Sequence, residues 1–202
     1  GALKTTLAQP YVWRALGNTL VLGATSAIVA TVAGFVMAFA VTRTTMPGKG
    51  FIHAAALLPI ISPPFVMALA IVILFGRSGL ITRELLGIRN ANVYGFHSLV
   101  LIQSLAFTPI AYLNIKGMLQ SIDSALEDAS ASLGGTRWTT FRQVTLPLLA
   151  PAIFAGFLLS FTFSFDDFII AFFVAGSETT LPIYIFSSIR RGVTPDINAI
   201  GT

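Results

Sequence analysis

Ala15 to Thr42 reads ALGNTLVLGATSAIVATVAGFVMAFAVT, twenty-eight residues without one Lys, Arg, Asp or Glu. A helix rises about 1.5 Å per residue, so roughly 20 mostly apolar residues cross a bilayer core. The stretch is long enough, and its Gly, Ala and Thr content lets helices pack closely in lipid. A first span is expected over Asn18 to Val41. Three more charge-free runs follow, Gly50 to Gly76, Ala91 to Ile115 and Gln143 to Phe165. The whole 202-residue chain is 55% hydrophobic and 10% charged, where a soluble domain carries about 25% charged residues. Its mean hydropathy is +0.84. These runs predict an all-α polytopic transmembrane helix bundle, a single domain over residues 1–202.

The remaining composition narrows the function. With no Cys there is no disulfide, thiol nucleophile or thiolate metal site. The net charge is +4, but the arginines are scattered and form no basic patch of the kind nucleic acid requires. They border the apolar runs, where lipid headgroups suit them. His53 and His97 lie near span ends and read as interfacial or hydrogen-bonded groups, because a metal site needs further ligands nearby. No metal site is expected. There is no Gly-x-x-x-x-Gly-Lys-Ser/Thr phosphate loop, so ATP is not expected on this chain.

The other spans carry breaks. Ile52 to Phe75 contains Pro59 and Pro63-Pro64, and proline removes an amide donor and clashes with the preceding turn. This second span is expected to be kinked or broken near its middle. A short helix is expected at Ile81 to Leu86, a third span at Tyr94 to Met118 bent by Pro109, and a fourth at Leu148 to Phe173. Leu181 to Phe186 is too short to cross and suggests a re-entrant or interfacial helix. A further apolar stretch opens at Ile197. About five spans are expected, with a first helix and most of a last one lying beyond the two ends of the chain.

Asp123 to Pro147 is the longest polar interruption, yet it stays helix-like. Ser124-Ala-Leu-Glu127 fits a capping box. Gly134-Gly135 should stop that helix, since glycine accepts the left-handed conformation at a helix end. Thr136 can cap a second short helix reaching Val144, and Pro147 would open the fourth span.

This segment resembles a cytoplasmic signature of the membrane subunits of bacterial binding-protein-dependent ATP-binding-cassette importers. That signature runs Glu-Ala-Ala, three residues, Gly, nine residues, Ile, one residue, Leu-Pro. Here Asp128-Ala129-Ser130, Gly134, Val144 and Leu146-Pro147 keep every spacing. Asp128 stands for Glu with Glu127 beside it, Ser130 for Ala and Val144 for Ile. The resemblance implies a multi-pass permease of the bacterial inner membrane with a type I importer fold. It also implies that Glu127 or Asp128 contacts a separate nucleotide-binding ATPase. The further partners it implies are a second permease subunit, an extracytoplasmic substrate-binding protein and membrane lipid. The chain would bind no cofactor and perform no covalent chemistry, with ATP used by the partner.

Two subfamily signals coexist. Ser164-Phe-Asp166-Asp167-Phe168 and the residues following it look like spermidine/putrescine-type permeases. Leu74-Phe-Gly76-Arg-Ser-Gly79-Leu80 and Tyr94-Gly95 look more like ferric-iron or phosphonate-type relatives. The longer C-terminal signal favours a polyamine cargo. Asp166 and Asp167 are the only acids inside a predicted span, about 28 Å along the helix from Pro147. Intramembrane acids usually face water or the bundle interior. The two could line the substrate path, or pair with Arg190 or Arg191. A rival class, the ion-coupled secondary transporter, predicts inverted repeats that the sequence lacks. The resemblance also sets orientation: Arg43, Lys49, Lys116, Arg137 and Arg142 on the cytoplasmic side, against the positive-inside count.

Overall fold

The computed structural model describes residues 10–76, 80–81, 94–176 and 179–191. All regular structure among them is helical. Helix α1 covers Pro10–Arg43. Helices α2, Lys49–Ile61, and α3, Pro64–Phe75, follow. Helix α4 covers Phe96–Ser121 and α5 covers Ser124–Ser132. Helix α6, Arg137–Thr140, runs through a π-helical turn, Phe141–Thr145, into α7, Leu146–Phe165. Helices α8, Ile169–Val174, and α9, Leu181–Arg191, complete the described chain.

Among the described residues, three helices are long and apolar enough to cross a membrane, α1, α4 and the α6–α7 unit, and the α2–α3 pair makes a fourth if counted as one span. The expected break in that pair lies at Ser62-Pro63, where the axis turns by 108°. Pro109 is accommodated inside an otherwise continuous α4. The expected short helix at Ile81 to Leu86 and the stretch from Ile197 lie outside the described residues. Two expectations need correction. Helix α1 covers Pro10–Arg43, longer than the predicted span Asn18 to Val41, and its first turns reach the chain before α9: Tyr11 Oη donates to Thr179 Oγ1 at 2.9 Å and Asn18 Nδ2 to the Thr179 carbonyl at 3.3 Å. The fourth span ends at Phe165, not Phe173, and restarts as α8.

Helices α1, α4 and α7 form the centre. Their backbones meet at Ala111. A Cβ built on Gly34 of α1 would lie 2.7 Å from the Tyr112 nitrogen, and one on Gly156 of α7 would lie 3.1 Å from the Ala111 Cα. Only glycine permits this approach, the packing mode expected where lipid offers no hydrophobic driving force. Two apolar clusters flank the crossing. One gathers Leu22, Ala68, Leu99, Ile102, Ile170 and Val174. The other gathers Ala38, Ala56, Tyr112, Ile115, Leu119 and Leu149. Large apolar side chains such as Val32, Val36, Phe154 and Phe163 point outward and are exposed, which suits a lipid-facing surface.

Candidate functional site: the polar segment between α4 and α7

Helix α5 begins one residue earlier in its cap than the capping-box reading predicts. Asp123, not Ser124, is the N-cap, and its Oδ1 accepts from the Ala125 amide at 2.9 Å. The shift takes Glu127 out of reach of the cap amide. Its Oε1 instead lies 3.3 Å from Arg43 Nη2 and accepts from Thr145 Oγ1 at 3.1 Å. Asp128, about 100° round the helix, is exposed. The two adjacent acids therefore have different environments: Glu127 faces the bundle and Asp128 faces outward.

The C-terminus of α5 is closed as predicted. Gly134 has φ +85°. Its amide donates to the Ala131 carbonyl at 3.0 Å, and that of Gly135 donates to the Ser130 carbonyl at 2.9 Å. This double closure satisfies carbonyls that a helix end otherwise leaves open. Gly134 is needed for its backbone angle. Gly135 is needed for space, because a Cβ there would lie 2.8 Å from the Ser130 carbonyl oxygen. Thr136 caps α6 as expected, accepting from the Thr139 amide at 3.3 Å. Ser130 Oγ and Thr140 Oγ1 are 2.8 Å apart and join α5 to α6.

Val144 lies half-buried within the π turn, so no loop separates the second short helix from the span. Leu146 and Pro147 form the first turn of α7. On this stretch Asp128, Ala129, Leu126, Leu133 and Trp138 are exposed and Ser130 is half-buried.

The acids near the other end diverge as well, but not as neighbours on one helix. Asp166 is the C-cap of α7, so both lie at a helix break. Asp167 turns inward: Gln103 Nε2 donates to its Oδ2 at 2.8 Å, and the Ile170 amide donates to its Oδ1 at 3.3 Å. Gln103 is fully buried. Its Oε1 accepts from Ser164 Oγ at 2.6 Å and Ser26 Oγ at 3.3 Å. This network ties α1, α4 and the break together. Among the described residues, no ion pair joins Arg190 to either aspartate, and the side chain of Arg191 lies outside them. Asp166 is exposed at the rim of a cavity of about 290 Å³, lined by Phe165, Phe168, Leu181, Pro182 and Phe186 among others.

The sequence reading missed Arg43, Thr145 and Gln103 as parts of these arrangements. Gln103 had a signal: it is a strong hydrogen-bonding group inside an apolar run, which lipid penalises unless partners are present. The histidine reading holds for His53, whose Nδ1 lies 2.6 Å from Tyr112 Oη and 3.4 Å from Lys116 Nζ. Among the described residues, no cluster of His, Asp or Glu could hold a metal ion.

Comparison with known proteins gives one family. Residues 30–201 match the model of the binding-protein-dependent transport system inner membrane component. The ferric transport system permease protein of Actinobacillus pleuropneumoniae is 37% identical over 188 residues, covering 89% of this chain and 27% of that protein. The spermidine/putrescine transport system permease protein of Escherichia coli K12 is 34% identical over 190 residues, covering 94% of this chain and 67% of that protein. The chain thus spans under a third of the ferric relative's length. In fold it is similar to a chain of a bacterial ABC transporter that imports alginate, with TM-score 0.77 at 18% identity, covering 98% of this chain and 75% of that one. Against a chain of the inward-facing methionine ABC transporter the TM-score is 0.67 at 15% identity, with 94% and 84% covered.

Proposed function

This chain belongs to the family of binding-protein-dependent transport system inner membrane components, and on that premise we propose that it is the translocating permease subunit of an ATP-driven importer. Helix α5 is the segment that docks on a separate nucleotide-binding ATPase. Asp128 is its outward acid, while Ala129, Ser130 and Gly134 shape the docking turn and Val144, Leu146 and Pro147 carry its motion into α7. ATP is bound and hydrolysed by that partner, and this chain holds no cofactor. A second permease subunit completes the path, and an extracytoplasmic binding protein delivers the cargo.

One observation carries the reading. Helix α5 has no buried residue, yet both its ends are fixed, by the Asp123 cap and the double glycine closure. An exposed helix held in one conformation, with an acid and Leu126 and Leu133 on view, suits a preformed contact with a basic and apolar groove. Small residues such as Ala129 permit close seating. A cysteine at Ala129 should crosslink to the ATPase in the assembled transporter. Failure to crosslink from either Ala129 or Ala125, with the ATPase present in the complex, would sink the docking role.

The cargo reading is a polyamine. The spermidine/putrescine relative supports it over 94% of the chain. Asp166, an exposed carboxylate beside Phe165, Phe168 and Phe186, suits an organic ammonium group, which aromatic faces also attract. A ferric or phosphonate-type cargo is the second reading, favoured by the ferric relative at 37% identity. Uptake of labelled spermidine, competed by unlabelled putrescine or ferric citrate, separates them. Asp166→Asn should raise the half-saturating spermidine concentration several-fold.

A further inference from the structure

The last turn of α1 and the segment before α7 are far apart in sequence but share one carboxylate. Arg43 is in the last turn of α1. Its Nη2 donates to the Leu119 carbonyl at 3.2 Å and the Ile122 carbonyl at 3.5 Å, which close α4. The same nitrogen is 3.3 Å from Glu127 Oε1 in α5. That oxygen also accepts from buried Thr145 in the π turn before α7. Four elements therefore converge on one guanidinium and one carboxylate oxygen. The side chains are only 19% and 27% exposed, so water screens the pair weakly.

An α5 displaced by a partner could follow either of two courses. It could swing about Ile122-Asp123, the two-residue link to α4, and leave the bundle still. Or it could carry the bundle with it. The link alone does not decide between them, because it has extended backbone at Ile122 and Asp123 and no helix crossing it. The Arg43–Glu127–Thr145 arrangement closes the first course: a swing of α5 must break an ion pair and a hydrogen bond to the same oxygen. We infer that Arg43 is a positioning residue for energy coupling, a clasp that makes α1, α4, α5 and the start of α7 move as one body when the ATPase moves α5. The inference rests on the docking role proposed for α5. Arg43 touches neither cargo nor ATP, and acts through Glu127.

The test uses the complete transporter in lipid nanodiscs with nitroxide labels at Gln120→Cys on α4 and Ser132→Cys on α5, both exposed positions. Pulsed spin-resonance distances are recorded without nucleotide and after trapping with ATP and vanadate, so no cargo is required. With Arg43 present, the distance between labels is expected to stay the same in both states. Arg43→Gln should let it shift by several ångströms on trapping, and Glu127→Gln or Thr145→Val should do so to a lesser degree. Arg43→Lys, which keeps the charge and a donor for the Leu119 and Ile122 carbonyls, should hold the distance fixed at least in part. A contact that only stabilises the fold would lower the unfolding temperature without a nucleotide-dependent shift. The inference is overturned if the parent itself shifts on trapping, or if Arg43→Gln and Thr145→Val both stay fixed. Vanadate trapping in a transporter whose α5 crosslinks to the ATPase from neither Ala129 nor Ala125 would refute the docking role of α5 and, with it, the clasp.

Discussion

Arg43 and Glu127 lie eighty-four residues apart in sequence and meet at 3.3 Å, whereas Asp128, next to Glu127, is exposed and makes no ion pair among the described residues. The two acids should separate experimentally. Glu127→Ala leaves a half-buried guanidinium short of its counter-charge and should cost about 1–2 kcal/mol, between the values of exposed and buried pairs. Asp128→Ala should leave stability within about 0.5 kcal/mol, as at an ordinary surface site, and weaken co-purification of the ATPase. Denaturant unfolding in detergent and pull-down yields read the two effects. The opposite assignment would show as an unstable Asp128→Ala with full pull-down.

Gly134 and Gly135 close α5 for different reasons, so their substitutions should differ. Gly134→Val places a β-branched residue at φ +85°, a left-handed conformation that costs an ordinary residue about 1–2 kcal/mol. Gly134→Asn should recover part of that loss, because Asn tolerates the conformation. Gly135→Ala meets the Ser130 carbonyl and hydroxyl, and Asn brings the same Cβ, so Gly135→Asn should gain nothing over Gly135→Ala. Limited proteolysis between α5 and α6 checks this: cleavage should rise in every variant and fall back only in Gly134→Asn.

Gln103 satisfies three groups at once. Gln103→Leu strands Oδ2 of Asp167 and the Ser164 and Ser26 hydroxyls, and each stranded polar group costs about 1–3 kcal/mol. Little folded protein should be recovered. Asp167→Asn can still accept from Gln103 Nε2 and should fold with near-normal yield. Asp167→Leu should behave like Gln103→Leu. Monodisperse yield by size exclusion distinguishes these outcomes, and equal yields for Asp167→Asn and Asp167→Leu would contradict the network.

The crossing at Ala111 predicts a contrast between two glycines on one helix. Gly34→Ala forces a methyl against backbone at 2.7 Å and should cost about 1–3 kcal/mol, as overpacking does. Gly17→Ala meets nothing within 4 Å and should be neutral or stabilising by up to about 1 kcal/mol, through helix propensity. Thermal unfolding of the two proteins, measured side by side, settles the sign of each.

The apolar runs and the glycine stop were legible because each rests on a property of single residues: transfer energy for the runs, backbone freedom for Gly134. The missed features rest on relationships. Asp123 and Ser124 are equally good caps, so the sequence left the α5 register open by one residue, and that residue decides whether Glu127 bonds its own helix or Arg43. The end of α7 at Phe165 carried no Gly or Pro. It is set by Asp167 turning inward to Gln103, a contact across sixty-four residues that no local pattern encodes. The Asp128 register of the family signature was readable, and its exposure fits that reading, but the part played by Arg43 needed coordinates.

Along α1, three fastenings to α4 occur at Ser26 through Gln103, at Gly34 against Ala111 and Tyr112, and at Arg43 through the Leu119 and Ile122 carbonyls. They are eight and nine residues apart, about 12 Å and 13 Å along the axis. Two rods pinned at three nearly even points cannot scissor. Such a pair is built as a plank, stiffer against a push at one end than either helix alone. The cost of such stiffness falls on whatever is not pinned. The elbow at Ser62-Pro63, where the axis between α2 and α3 turns by 108°, is one such place.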